Sequence, residues 1–145
     1  MEPRKAEGAL APKPVAVERV AVSEGRLSIL VRLAPDAPRN VESQLLQAAL
    51  AKYPSLPFHS CVNDRGPAFG DVMCETSVPH LLEHIIIDEQ VRDEGTPPHA
   101  VLVGTTAWLD EREGRARIEV NFTDDLVALR ALREAVAFVN EGMVG

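Results

Sequence analysis

The chain lacks the features that define several large classes of protein. It has only two cysteines in 145 residues, too few for a disulfide framework. No apolar run approaches the roughly 18 residues of a membrane span, and the polar start has no signal-peptide core. Its 15 Lys and Arg are outnumbered by 22 Asp and Glu, which leaves no cationic excess to neutralise phosphates. We therefore expect a cytoplasmic protein that binds neither membranes nor nucleic acids.

The hydrophobic content is that of an ordinary folded domain. Of the residues, 46% are hydrophobic and 26% are charged, and a chain of this length normally forms one domain. Residues 1–14 have no hydrophobic period and contain three prolines, a pattern typical of disorder. We expect a disordered tail over residues 1–14 and a single domain over residues 15–145.

The hydrophobic patterns predict four strands and three helices. Residues 15–22 and 26–33 are rich in β-branched residues and flank a short turn that contains Gly25, as in a β-hairpin. A helix capped by Asn40 is expected over residues 41–53, a second over 78–91 capped by Thr76 or Ser77, and a third from about residue 125 to Glu141. Residues 100–107 and 115–122 read as strands around an acidic turn. Residues 58–75 have no period, and such long irregular segments are often functional.

The element order ββααββα places strands in pairs rather than in strict alternation with helices. This order favours an α+β fold of two layers, in which about three helices cover one face of a mainly antiparallel four-stranded sheet. In residues 115–122, apolar side chains alternate with Arg117, Glu119 and Asn121, so one face of that sheet is expected to face water.

The motif with the clearest chemistry is His80-Leu81-Leu82-Glu83-His84, the H-x-x-E-H arrangement of inverted zinc peptidases. On a helix, His80 and His84 lie one turn apart on the same face, so both imidazoles can bind one cation. The Glu83 carboxylate would lie beside them, where it could take a proton from a metal-bound water. The sequence therefore predicts a site with His80 and His84 as metal ligands and Glu83 as catalytic base, with zinc or another divalent transition metal as cofactor.

The helix that carries this motif is predicted to be buried. Its residues form one apolar arc, interrupted by Glu89, while Ile87 and Val91 make the opposite side apolar as well. Buried ionisable groups need partners, so the histidines are expected either to bind a metal or to form a hydrogen-bonded structural cluster.

A third protein ligand is harder to assign. Asp88, a further turn along the same stripe, is our first choice, and it could instead orient an imidazole without touching the metal. The full set of candidates for this position is His59, Cys61, Cys74, Asp88 and Glu119.

Residues 57–90 resemble the N-terminal domain of cyanophycin synthetase, the enzyme that builds multi-L-arginyl-poly-L-aspartate. The matching elements are Leu56-Pro57, His59-Ser60-Cys61, Ala68-Phe69-Gly70, Glu75-Thr76 and the helix from His80 to Gln90. A fainter likeness continues through Val103-Gly104-Thr105-Thr106 and residues 117–122. Asp88, Glu89, Glu75 and Thr105 depart from the family pattern, and no ATP-dependent ligase module is present in these residues.

The resemblance implies a metal-dependent peptidase-type domain. His80 and His84 would be ligands and Glu83 the general base, with Asp88 or the loop of His59 and Cys61 supplying the third ligand. The substrate would be cyanophycin or a related Arg/Asp-rich peptide. The alternative is a module without catalytic activity that keeps the histidine cluster and binds the polymer or a separate ligase protein.

Overall fold

The computed structural model describes residues 13–61 and 63–144. Within them, a four-stranded antiparallel sheet has the order β1-β2-β4-β3, formed by β1 (Val15–Ser23), β2 (Arg26–Leu33), β3 (Gly104–Asp110) and β4 (Arg115–Asn121). Three helices complete the fold: α1 (Ser43–Lys52), α2 (Val78–Arg92) and α3 (Asp125–Val144). The predicted two-layer α+β fold, with an antiparallel sheet and three helices, is confirmed.

One face of the sheet supplies about a third of the buried hydrophobic residues. Alternate residues of the two central strands point toward the helices and are fully or almost fully buried: Leu27, Ile29, Val31, Leu33, Ala116, Ile118 and Val120. Their neighbours along the strands, such as Arg117, lie on the opposite and open face. The alternation follows from the period of two in a strand, and it confirms that one face of the sheet is wet.

Helix α2 is buried around nearly its whole circumference. The Ser77 hydroxyl oxygen caps it by accepting a hydrogen bond from the His80 N–H at 3.2 Å, as one of the two predicted caps requires. The helix packs against α3 and against β3 and β4. Glu89, which interrupts the apolar arc in the sequence, accepts a hydrogen bond from the buried Tyr53 hydroxyl at 2.6 Å. The inconsistency in the hydrophobic pattern therefore marks a specific side-chain partner.

Several predicted boundaries are wrong. Helix α1 begins at Ser43 after an uncapped Glu42, because Asn40 instead forms a β-bridge with Ser77. Strand β3 is displaced toward the C-terminus and runs through Trp108 to Asp110. Helix α3 continues past residue 142 to Val144.

Two other predictions concern the chain start and the membrane. The predicted tail lies outside the described residues except for Lys13 and Pro14, whose carbonyl accepts the Ala34 N–H at 2.9 Å. None of the helices in the described part of the chain has the length and hydropathy needed to cross a bilayer.

Candidate metal centre

The irregular segment between α1 and α2 folds back on the histidines of α2. It contains three short 3-10 helices, Leu56–Phe58, Phe69–Asp71 and Met73–Glu75. A bridge between Ser60 and Ala68, together with a hydrogen bond from the Phe69 N–H to the His59 carbonyl at 2.9 Å, aligns its two halves. The segment thereby carries His59, Cys61 and Phe69 to the helix.

Two further residues hold this segment in shape. The Asn63 side chain accepts hydrogen bonds from the backbone N–H groups of Arg65 and Gly66, and it donates to the carbonyls of Cys61 and Ala68. A Cβ atom at Gly70 would lie 2.8 Å from the Pro57 carbonyl oxygen, so only glycine permits this close approach. The irregularity seen in the sequence is therefore a specific fold of the loop.

Three potential ligand atoms come together at the surface of α2. One atom each from Cys61, His80 and His84 lies within 4.8 Å of the other two. The Cys61 sulfur is 3.4 Å from His80 Nε2, close to the roughly 3.6 Å that separates sulfur and nitrogen ligands on a tetrahedral zinc ion. Of the third-ligand candidates named from the sequence, Cys61 is the one that completes this group.

The hydrogen bonds of the two imidazoles leave one nitrogen of each facing the cluster. His80 Nδ1 is engaged with the Thr76 hydroxyl at 2.7 Å, which leaves Nε2 beside Cys61. His84 Nδ1 is 3.1 Å from His59 Nδ1. Among the residues that the structure describes, the buried His84 Nε2 has no hydrogen-bond partner, a costly arrangement that a bound cation would relieve.

Asp88 lies next to His59 and is not a member of the three-atom group. Its Oδ2 is 3.0 Å from His59 Nε2 and also accepts a hydrogen bond from the Ser55 hydroxyl. Burial is the largest single influence and acts to raise the pKa of Asp88, but these hydrogen bonds and nearby positive charge, including Arg92, together hold that pKa below its usual value. This geometry suits the orienting role considered for Asp88, and Asp88 is not among the residues that the structure groups with His80 and His84.

The carboxylate of Asp88 sets the direction of the hydrogen bonds that lead to His84. An ionised Asp88 accepts from His59 Nε2–H, so in a neutral imidazole His59 Nδ1 is an acceptor. His84 Nδ1 must then donate to it, which leaves a lone pair on His84 Nε2. Metal-bound histidines are commonly fixed in this way by a partner at the other ring nitrogen.

Burial favours the neutral form of the two motif histidines. Burial lowers the pKa of His80, and burial followed by the proximity of His80 and His59 lowers the pKa of His84 far below its usual value. The Phe69 ring stacks on His84 with centroids 4.1 Å apart and meets His80 edge-on at 5.1 Å. Neutral imidazoles are the form that binds metal. Burial raises the pKa of Cys61, which a bound cation would have to offset because the thiolate is the ligand.

Glu83 is buried beside the three ligand atoms. Its Oε1 accepts a hydrogen bond from the Thr106 hydroxyl at 2.7 Å, and its Oε2 is 3.6 Å from His84 Nε2. Burial raises the pKa of Glu83 to about 7, against the lowering effect of the Thr106 hydrogen bond. A carboxyl with such a pKa can exchange protons near neutral pH.

Strand β3 makes room for this carboxylate. A Cβ atom at Gly104 would lie 2.9 Å from Glu83 Oε2 and 2.8 Å from the Glu119 carbonyl. Gly104 and Thr106 together therefore fix the position of Glu83. The sequence predicts neither as a site residue; both fall in a stretch that reads as a strand and has a faint likeness to a family.

The remaining candidates lie outside this cluster. Cys74 is exposed. The Glu119 side chain points to the open face of the sheet, where it pairs with Arg26 at 3.3 Å. Within the part of the chain that the structure describes, neither joins the group of Cys61, His80 and His84.

Comparisons of the chain with family models, with characterised proteins and with solved structures find no match. They provide no link to cyanophycin synthetase, so the function has to be argued from the site.

The raised pKa of Glu83 predicts a pH-dependent effect of Glu83→Gln in chelator-treated protein. Because the folded state favours the protonated carboxyl, the wild type loses stability as pH rises from about 4.5 to about 7. Gln carries no charge and escapes this loss. We expect the variant to be more stable than the wild type at pH 8, by up to about 3 kcal/mol, and the difference to shrink toward pH 5.

Urea unfolding at pH 5, 6.5 and 8 measures this difference. The variant Glu24→Gln, at an exposed turn residue, gives the baseline for removing one carboxylate. Parallel stability profiles for Glu83→Gln and the wild type would show that the buried carboxyl does not titrate in this range.

Proposed function

We propose that the protein is a metal-dependent hydrolase of peptide or amide bonds, with zinc as its best-matching ion. The observation that carries this proposal is the convergence of one ligand atom each from Cys61, His80 and His84, beside a buried His84 Nε2 that has no hydrogen-bond partner among the described residues. Cysteine and histidine are both zinc ligands, and catalytic zinc sites use three protein ligands with a fourth position left for water or substrate. The softness of the thiolate favours zinc over magnesium or calcium.

Glu83 is the residue that would turn a bound ion into a catalyst. Its two carboxylate oxygens lie 3.9 Å from His80 Nε2 and 3.6 Å from His84 Nε2, so the carboxylate borders the space that the ion would occupy. Thr106 holds one oxygen and leaves the other free. In this position Glu83 can accept a proton from a water molecule and pass it to the leaving amine of an amide.

The substrate class rests on the resemblance to cyanophycin synthetase. The resemblance indicates cyanophycin or a related Arg/Asp-rich peptide as the substrate. The geometry of the site does not itself distinguish one amide substrate from another. Glu83 and His84 are buried, whereas about a fifth of the His80 side chain is exposed and Cys61 is half-buried. A substrate carbonyl would therefore approach from the side of His80 and Cys61.

The same burial favours a second function, a binding module without catalytic activity. Phe69 covers both histidines, and Glu83 is close enough to become a fourth ligand, which would close the coordination shell. An ion whose coordination shell is filled by protein ligands would hold the irregular segment onto α2. In that form the domain would bind a polymer or a separate ligase protein. Binding of cyanophycin to the metal-loaded protein without turnover would favour this function.

Metal content tests the ligand set. We expect close to one zinc ion per chain in untagged protein, and loss of the ion in His84→Ala and in Cys61→Ser. In Co²⁺-loaded protein, a thiolate-to-metal charge-transfer band should be present and should vanish in Cys61→Ser. Cys74→Ser and His99→Ala are matched controls that should keep the ion. Absence of zinc after incubation with Zn²⁺ would contradict the proposal.

The position of Asp88 predicts an effect on affinity rather than on stoichiometry. Asp88→Asn removes the acceptor that fixes the tautomers of His59 and His84, so Zn²⁺ affinity should fall about 10- to 100-fold while one ion still binds at saturation. Competition with a chromophoric chelator measures the dissociation constant. Asp93→Asn, just beyond the end of α2, is the control. Equal Zn²⁺ affinities of Asp88→Asn and Asp93→Asn would show that the hydrogen-bond chain from Asp88 through His59 to His84 does not affect metal binding.

Hydrolysis of multi-L-arginyl-poly-L-aspartate tests the catalytic step. In Glu83→Gln the turnover number should fall at least 100-fold, the usual range for loss of a general base, while zinc content stays at one per chain. Chromatography of released products measures the rate, and Glu75→Gln in the exposed part of the loop is the control. Undiminished activity in Glu83→Gln would remove Glu83 from the mechanism, and zinc binding without any turnover would favour the binding module.

A further inference from the structure

Strand β1 is an edge of the described sheet and carries apolar side chains. It is the first strand of the sheet order and pairs with β2 alone among the described residues. Val17, Val20 and Val22 point to the same side as the buried valines and leucines of β2, yet they are 37%, 37% and 48% exposed. An edge strand presents backbone groups that can pair with another strand, and the charged residues of β1 are confined to Glu18 and Arg19.

The outer edge of β1 is already occupied at one end. The Val15 N–H donates to Asn140 Oδ1 at 2.8 Å, and the Val15 carbonyl accepts from Asn140 Nδ2 at 3.0 Å. Alternate residues of a strand direct these groups to opposite edges. A bulge between Val17 and Arg19 keeps Val17, Val20 and Val22 in phase with Val15, so their backbone groups also point outward.

A groove runs beside this edge. It lies between β1 and α3, has a volume of about 880 Å³ and is lined largely by apolar side chains, among them Val17, Leu129, Leu132, Val136 and Ala137. Its position continues the exposed valine row of β1. An occupant that adds a strand to β1 would therefore also insert side chains here.

The sequence of β1 is complementary to itself when reversed. Residues 15–22 read VAVERVAV. In an antiparallel pair centred between residues 18 and 19, Val17 lies opposite Val20 of a second copy, and Ala16 lies opposite Ala21. Glu18 then lies opposite Arg19, an attractive pair.

The structure places these residues on the faces that such a pair requires. Opposed residues of an antiparallel pair point to the same face, and Val17 and Val20 share the core side. Glu18 is on the open face, because it pairs with Arg115 at 3.3 Å and with Arg32 at 3.9 Å. Arg19 is also on that face, next to Leu30 and Arg117.

We propose that β1 is a homodimer interface, in which two copies of the chain pair their β1 strands antiparallel across a two-fold axis between Glu18 and Arg19. Backbone hydrogen bonds join Val17 to Val20 of the second copy in both directions. The ladder ends where Asn140 holds Val15, and Val22 of the second copy enters the groove against α3. This inference is independent of the metal centre.

Charge complementarity selects a second copy over other occupants. A foreign strand would need its own acidic and basic residues in the matching order, whereas a two-fold axis supplies both pairs from one sequence. A C2 contact of this kind is isologous and closes on itself, so it produces dimers and not fibres.

Charge reversal at the axis gives the sharpest test. In Glu18→Arg and in Arg19→Glu, both charge pairs of the homodimer become repulsive, so dimerisation should weaken about tenfold or more in each. An equimolar mixture of the two variants should form the heterodimer, since each Arg then faces a Glu. Sedimentation velocity over a range of protein concentrations measures all three samples and the wild type.

Matched controls separate the interface from intramolecular effects. Glu113→Arg also removes an acidic partner of Arg32, but it lies outside β1 and should leave the dimer unchanged. Circular dichroism verifies that every variant is folded. A monomeric wild type would overturn the proposal and point to another occupant, either residues 1–12 or a different protein. Dimers that persist in both single variants would also overturn it, because the contact must then lie elsewhere.

Discussion

The burial of helix α2 is the constraint on which the rest of the structure depends. A helix that is apolar on two sides can be covered only by packing it between the sheet and the other helices. His84, Glu83 and Asp88 are thereby taken out of water, each at 3% exposure or less, where an unpaired polar group costs several kcal/mol. Thr106 of β3 satisfies Glu83, and the loop residues His59 and Ser55 satisfy Asp88. The shape of the irregular segment follows from this requirement.

The hydrogen bonds of the site also determine which imidazole nitrogen of each motif histidine is left to face a ligand. Asp88, His59 and His84 form a chain in which the acceptor at one end determines which nitrogen is free at the other. His80 is held separately by Thr76, from the turn that precedes the helix. Two imidazoles that belong to one motif are thus oriented by different parts of the chain, and both direct a free nitrogen toward the space beside Cys61.

The sequence predicts those parts of the molecule that are encoded locally. The position of His80, Glu83 and His84 on one helix, and the presence of strands with one buried face, follow from periods of 3.6 and 2 residues. The role of Asp88 and the choice of Cys61 could not be settled in this way, because a loop determines which side chains meet the helix. Asn40 was misassigned for a related reason. Its type suits a helix cap, but tertiary pairing with Ser77 overrides that local preference.

Whether a metal ion bound at this site would hydrolyse a substrate or only stabilise the loop depends on how the loop covers the site. Phe69 lies against both histidines, and it is held by the same loop that carries Cys61. A displacement that opened the site by moving Phe69 would therefore also strain the position of a metal ligand. The proposed catalysis would require the substrate to enter beside His80 while the loop stays in place. A structural ion with four protein ligands would not require access for a substrate. The partial exposure of His80 and Cys61 is the feature on which the proposed catalytic function depends.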